Sequence, residues 1–319
     1  MSGLKIVVIL PCYNEGGAIK KVVGDFKSVL PAGKVYVYDN NSTDNTVSQA
    51  LEAGAIVRHE PQQGKGNVVR RMFSDVEADV YVMADGDGTY DADAVTKMVD
   101  ELVCNDLDMV IGVREEDEQH DEQYRPGHRF GNQILTGMVS VLFGYRMGDV
   151  LSGYRVMSRR FVKSFPSMAK GFEIEVMLTI HALSLLLPIK EIGTAYFNRA
   201  EGTESKLNTI RDGMRIFIEI AYLFKEYRPL LFFGVFSLLF ALLGLFLGVP
   251  ILFEYFETGL VPRFPTAILT TGLMVLSAIS VTCGLVLDTV SRGQTELKRI
   301  LYASLPSISS VLAKKGRAR

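Results

Sequence analysis

Two long runs without a charged residue, 229–253 and 264–287, constrain what this chain can fold into more than any other feature. At 1.5 Å rise per residue, either run can cross a hydrocarbon core of roughly 30 Å with some tilt. The core helix of a soluble domain seldom keeps so long an uninterrupted apolar stretch. The spacing predicts two transmembrane helices, 229–253 and 264–287. They follow a charged head, 1–206, of a length that suits one α/β domain. A catalytic-looking head on two spans points to a substrate held in the bilayer.

Flanking charges set the expected orientation. The connector holds Glu254, Glu257 and one cation, Arg263. After the second run come Arg292, Lys298 and Arg299, then Lys314, Lys315, Arg317 and Arg319. Positive charge stays on the cytoplasmic side of a membrane. Both termini and the head are therefore expected in the cytoplasm, on the inner face of the cell membrane, with 288–319 a basic cytoplasmic tail. Ahead of the first span, Leu207, Ile210, Met214, Phe217, Ile218, Ala221 and Phe224 repeat at helical spacing, and Arg211, Asp212, Arg215 and Lys225 take the other face. Segment 207–228 thus reads as an amphipathic interfacial helix, with packing on the head as the alternative. A net charge of −2 gives no general attraction for nucleic acid. Cys12, Cys104 and Cys283 are scattered and form neither a metal spacing nor a disulfide framework. No signal-peptide pattern precedes the strand-like run that starts at Lys5.

Within the head, strand and helix signals alternate. Strands are expected over 5–10, 34–38, 55–58, 80–84 and 109–113, and helices over 17–30, 44–53, 67–76 and 92–105. Ser42 or Thr43 is a plausible N-cap for the second helix, and Gly54 follows its end. Such alternation implies βαβ units, an α/β class and a mostly parallel sheet. Ligands of such sheets bind beyond the carboxyl ends of the strands. The polar motifs fall there: Leu-Pro-Cys-Tyr-Asn-Glu (10–15), Asp39-Asn40-Asn41-Ser42, Gly64-Lys65-Gly66 and Asp85-Gly86-Asp87.

Asp85 and Asp87, with Gly86 and Gly88 permitting close backbone approach, suit a hard divalent cation such as Mg²⁺ or Mn²⁺ shared with substrate phosphates. Asp-Gly strings also make plain solvated turns; the convergence of four strand ends favours the ligand reading. Asp39 can accept hydrogen bonds from a base or ribose, or serve as a turn former. Asn14 can cap the following helix. Lys65 between two glycines at a helix start suits a phosphate. Residues 115–122 read as a solvated acidic loop, and the cations after it, Arg125, His128 and Arg129, suit an anionic head group unless they pair within the loop. His59 and His181 show no partner pattern and read as structural.

Together the 10–15 motif, the 39–44 turn, Asp85-Gly86-Asp87, Ser152-Gly153-Tyr154-Arg155 and Gly171-Phe172-Glu173 resemble the family 2 inverting glycosyltransferases of GT-A fold, a Rossmann-like α/β fold. More narrowly the chain resembles the dolichyl-phosphate mannose synthase and bacterial polyprenyl-phosphate glycosyltransferase branch. The 202–206 string is similar to that branch's GxSK segment. The resemblance implies that Pro11, Tyr13, Glu15 and Asp39 bind the nucleoside, with Lys65 beside them, and that Asp85 and Asp87 organise metal and diphosphate. It places Arg114, Arg125 and Arg129 at the lipid phosphate and Asp149, Ser152 and Arg155 near sugar and acceptor. Asp87, Asp149, Arg129 and Arg155 are the expected catalytic set. Two departures stand out: Asn40 replaces the usual second Asp of the strand-two pair, and Thr89 stands where Gln is common, which leaves a third protein ligand to the metal open.

The implied activity is transfer of a sugar from a nucleotide sugar to a polyprenyl phosphate, undecaprenyl or dolichyl. The 298–302 string is similar to bacterial bactoprenol glucosyltransferases and favours UDP-glucose, with UDP-N-acetylglucosamine and GDP-mannose open, as is homo-oligomer formation. Two alternatives differ in class. A processive polysaccharide synthase of the same superfamily carries a Gln-x-x-Arg-Trp motif, whereas this chain has no Trp. The other is a membrane-anchored nucleotide-sugar-binding or scaffold protein without turnover, against which the intact Asp85 and Asp87 argue. The expected orientation has a direct check. In a cysteine-free background, a cysteine at position 258 should react with an impermeant thiol reagent on whole cells, and one at 314 should not. The reverse pattern would overturn the topology.

Overall fold

Strands and helices alternate from the first residues of the computed structural model, which describes residues 3–115, 126–166, 174–197, 221, 222 and 224–317. The order is β1 (Ile6–Cys12), α1 (Ile19–Val29), β2 (Lys34–Asp39), α2 (Thr46–Glu52), β3 (Ile56–His59), α3 (Lys65–Asp75), β4 (Val80–Met83), α4 (Ala94–Cys104) and β5 (Met109–Glu115). Then come α5 (Pro126–Phe143), β6 (Arg155–Ser158), α6 (Arg159–Ser164), α7 (Ile174–Ser184) and β7 (Ile189–Ala195). The seven strands lie in the order β3-β2-β1-β4-β6-β5-β7. Strand β6 runs antiparallel to both neighbours, and the other pairings are parallel.

The strands are apolar on both faces because helices cover both. Side chains alternate across a strand, so Val8 and Leu10 of β1 join Val23, Phe26, Met98 and Leu102 on one face. Val7 and Ile9 join Val69, Met72, Phe161 and Leu178 on the other. The first nine expected elements are present with ends shifted by a few residues. Helix α2 begins at Thr46 with Asn45 ahead of it, not at Ser42 or Thr43, because those two residues are used in tying loops together. Gly54 does follow that helix, at φ +78°.

The chain divides into two units, Met1–Met214 with Leu297–Arg319, and Arg215–Glu296. Within 288–319, expected as a basic cytoplasmic tail, Leu297–Arg319 thus group with the sheet domain. The second unit contains helix α8 (Pro229–Thr258) and most of α9 (Phe264–Ala303). Both are long and apolar enough to cross a membrane. Each outlasts the apolar run that predicted it, and Gly259 at φ +69° closes α8. Along their seam the Ser237 and Ser277 hydroxyls meet at 2.9 Å, and Ser277 also donates to the Ser237 carbonyl at 3.0 Å. A Cβ at Gly248 would come within 2.7 Å of the Thr270 methyl. Small residues and hydroxyl pairs are what hold helices where lipid removes the hydrophobic drive. Most of the expected amphipathic segment 207–228 lies outside the described residues. A final helix, α10 (Ile308–Arg317), follows α9.

His181 of α7 lies edge-on between Phe161 and Phe165, with its Nε2 3.1 Å from the Ser164 hydroxyl. Burial, and secondarily Lys298, push its pKa from 6.5 down to about 3. The unfolded imidazole takes up a proton first as pH falls, so the stability this residue gives is complete above 6.5 and is lost between 6.5 and 3. Urea unfolding at pH 7 and pH 5 should show the native protein losing about 2 kcal/mol more than His181→Gln over that interval. Equal losses would refute a buried neutral imidazole.

Candidate active site

The loops after β1 and β2 are knitted by side chains because they have no sheet partners there. Asn14, at φ +55°, donates its N–H to the Ser42 hydroxyl at 2.9 Å and accepts from the Thr43 N–H at 2.8 Å. It therefore ties loop to loop and does not cap α1. The Glu15 N–H donates to the Thr46 hydroxyl at 2.8 Å, and the Gly16 N–H to Asp44 at 2.9 Å. Pro11 is buried at the end of β1, Tyr13 is exposed and Glu15 is half-buried on this ledge. The buried Asp39 carboxylate accepts from the Ser42 N–H at 3.3 Å and lies 3.1 Å from His59 Nδ1. His59 was expected to be a bystander, yet the parallel register of β2 and β3 sets it opposite Asp39.

Asn40 explains its own departure from the family pattern. Its amide donates to the carbonyls of Glu60 and Gln62, both at 2.8 Å, and its oxygen accepts from the Gly64 N–H at 2.7 Å. A carboxylate cannot make both donations. Asn40 thereby holds the loop that delivers Lys65, the first residue of α3. Gly64 takes φ +126°, a conformation reserved for glycine.

The Lys65 ammonium is inserted between two carboxylates, Asp85 and Glu175, the latter at 2.5 Å. Burial alone would lower its pKa, but the two acids outweigh that and raise it, so it stays charged. Glu175, also enclosed, has its pKa raised by burial against the pull of Lys65. Its Oε2 is buried and takes no hydrogen bond from the described residues. Sequence reasoning missed Glu175, although it lies two residues beyond Gly171-Phe172-Glu173. Gly153 is required here: a Cβ would come within 2.7 Å of Asp85. The Gly153 N–H donates to the Tyr90 hydroxyl at 2.9 Å, adding a half-buried phenol to the cluster. Gly86 likewise makes room, for Cys12 Sγ lies 2.4 Å from where its Cβ would be. Asp87 is buried and accepts from the Thr89 hydroxyl at 2.7 Å, so Thr89 acts on Asp87. Among the described residues no group of three or more acidic, His or Cys side chains could hold a metal; Asp85 and Asp87 are a pair.

On the β5–β6 side the geometry departs from several expectations. Arg114 forms a bidentate pair with Asp149 at 2.6 and 3.0 Å and lies over the Tyr196 ring. Arg155, expected in the catalytic set, is completely enclosed. Its donors go to the carbonyls of Ser152 and Val150 and to the Thr179 hydroxyl, and burial lowers its pKa to about 10. Ser152, expected at the acceptor phosphate, is also fully buried and donates to the Gly112 carbonyl at 2.5 Å. Both therefore hold the 149–153 loop from behind, through hydrogen bonds to backbone carbonyls. Arg129 lies in α5, but its side chain and the whole of Arg125 lie outside the described residues.

A glycosyl transferase family 2 domain matches residues 7–165. Protein RfbJ of Shigella flexneri is 56% identical over 124 residues, 39% of this chain and 95% of that protein. Glycosyltransferase AglJ of Haloferax volcanii is 34% identical over 256 residues, 78% of this chain and 82% of that protein. The chain belongs to glycosyl transferase family 2. The UDP-N-acetylglucosamine–dolichyl-phosphate N-acetylglucosaminyltransferase of Methanococcus voltae is 25% identical over 251 residues, 70% of this chain and 97% of that protein. The GT-A fold of this family 2 glycosyltransferase is shared with glucosyl-3-phosphoglycerate synthase of Mycobacterium tuberculosis in complex with Mn²⁺, UDP and product. That match has a TM-score of 0.55 and 23% identity over 70% of this chain and 80% of the other.

The Asn40 bridge yields a test. Asn40→Asp places a carboxylate against two carbonyls and should cost about 2 kcal/mol in urea unfolding. Donor affinity should fall as well, because Lys65 loses its seat. Unchanged stability and affinity would show that the 60–64 loop holds itself.

Proposed function

We propose that this family 2 glycosyltransferase transfers a sugar, with inversion, from a nucleotide sugar to a polyprenyl phosphate at the cytoplasmic face of the membrane. The observation that carries the reading is the Asp85–Lys65–Glu175 ion cluster beside Asp87, in a chain that continues into two apolar helices. The Methanococcus voltae relative is named for transfer to a dolichyl phosphate, which supports a lipid phosphate acceptor.

Asp85 and Asp87 fit one hard divalent ion, Mg²⁺ or Mn²⁺. They present two carboxylates on one turn, with remaining positions left for diphosphate oxygens. The M. tuberculosis fold neighbour holds Mn²⁺ together with UDP, which supports the same use here. Such an ion would neutralise charge on the departing diphosphate. Lys65 adds a fixed positive charge at the same place, already oriented before the donor arrives. Thr89 keeps Asp87 aimed. Asp39 and the 10–15 ledge accept the nucleoside, with UDP-glucose the favoured donor. A lipid phosphate is already anionic near neutral pH and needs no strong general base, whereas a sugar hydroxyl does. Arg129, with Arg125, binds that phosphate.

Nucleotide sugars should be screened with undecaprenyl phosphate in vesicles. One donor should give a lipid-linked sugar, EDTA should abolish transfer, and Mg²⁺ or Mn²⁺ should restore it. Asp87→Ala should lose on the order of 100-fold in rate while remaining folded. Arg129→Ala should keep donor affinity and lose about 2–4 kcal/mol in transfer at limiting lipid, with Arg129→Lys rescuing in part. Full activity in EDTA refutes the metal role, and a collapse of donor binding in Arg129→Ala assigns that residue to the donor.

A further inference from the structure

The end of the chain is built into the catalytic domain through specific contacts. The Tyr302 hydroxyl donates to the fully buried Asp108 carboxylate at 2.7 Å. The same carboxylate accepts from Arg160 at 2.6 and 3.0 Å and from the Ser158 hydroxyl at 2.7 Å. The Arg160 guanidinium lies over the Tyr302 ring, 4.8 Å from its centroid. Ser309 donates its N–H and hydroxyl to Asp106 at 3.2 and 3.1 Å. Lys315 pairs with Asp79 at 2.6 Å and donates to the Gly3 carbonyl at 2.8 Å. Ile308, 4% exposed, enters the core on the α1–α4 face, with Leu312 packed beside it. A solvated basic tail would bury no isoleucine and would leave its hydroxyls and cations to water.

The contacts fall on the strands that carry the site. Asp79 precedes β4, which ends next to Asp85 and Asp87. Asp108 precedes β5, which holds Arg114 near its far end. Ser158 ends the antiparallel β6, which starts next to Ser152 and Gly153. The same three strands are thus held at one pole by the C-terminal segment and bear the cluster at the other. The apolar hairpin lies between the two stretches of chain that form this domain, so it is connected to the domain at both of its ends. A single flexible connection would let a domain wander, whereas a second attachment raises the effective concentration of whatever the hairpin's membrane holds.

We propose that the acidic pole formed by Asp79, Asp106 and Asp108 is the docking surface for the chain's own segment 302–315, and that this clasp stays closed through turnover. It fastens the segment that follows the apolar hairpin to the catalytic domain. Its purpose, though not its existence, rests on the lipid acceptor proposed above.

The test uses the full-length protein in vesicles, with Cys12, Cys104 and Cys283 replaced and the pair Asp106→Cys/Ser309→Cys introduced. Mild oxidation should cross-link most of the protein, and the oxidised and reduced forms should transfer sugar at the same rate. A second variant, Tyr302→Phe with Lys315→Ala, should raise amide hydrogen exchange in Met109–Glu115 about tenfold while leaving donor affinity unchanged. Failure to cross-link, a loss of transfer on oxidation that reduction restores, or unchanged exchange in the loosened variant would each overturn the clasp. If no form transfers sugar to polyprenyl phosphate, the proposed reaction fails, and cross-linking and exchange still decide the docking.

Discussion

The site depends on one ion cluster in which Glu175 is buried and Lys65 and Asp85 are half-buried. Taking an ammonium and two carboxylates out of water costs several kcal/mol per ion, and only close pairing returns it. Lys65 is placed between Asp85 and Glu175, so three elements are locked by charge: the start of α3, the end of β4 and the start of α7. Removing Lys65 would leave the buried Glu175 carboxylate and the half-buried Asp85 without the cation between them. Removing Glu175 would leave Lys65 paired with Asp85 among the described residues. Such a cluster is costly as a source of stability, and it fixes geometry: under the proposed function, the positive charge held beside the carboxylate pair would be preorganised for a diphosphate.

Around that cluster, side-chain hydrogen bonds do the positioning. Asn40 fixes the loop before Lys65, Thr89 fixes Asp87, and Ser152 with Arg155 fixes the loop that carries Gly153. The glycines at 86 and 153 remove side chains where Cys12 and Asp85 must approach. The site therefore has an inner layer of charge and an outer layer of polar supports, most of them buried. A substitution in the outer layer is expected to act through the placement of Lys65, Asp85 or Asp87.

The sheet up to β5 was legible because each strand is a short β-branched run and each helix has its own apolar stripe. Beyond β5 the signal fades. Strand β6 has four residues and begins with an arginine, a residue that reads as exposed until one sees its guanidinium satisfied by two carbonyls and a hydroxyl. The motifs at strand ends located Asp39, Lys65, Asp85 and Asp87 correctly on one edge of the sheet. The motifs alone could not distinguish an open position from an enclosed one: Arg155 and Ser152, expected near sugar and acceptor, are both enclosed. Glu175 and His59 were missed for the opposite reason. Each acquires its partner through tertiary pairing, Glu175 across the sheet edge and His59 through strand register.

The charges near the C-terminus show how one residue can serve two constraints. Lys315 counts toward the positive flank that predicts a cytoplasmic end, and it is also a ligand of Asp79. Arg160 and Tyr302 are a similar case, a cation and an aromatic that satisfy Asp108 jointly. A tail selected only for charge could place its cations anywhere. Here the spacing from Tyr302 to Ser309 to Lys315 matches acids at 108, 106 and 79, while Ile308 between them fills a core position. That coincidence of spacing, charge and burial is what separates a docked element from a topological signal.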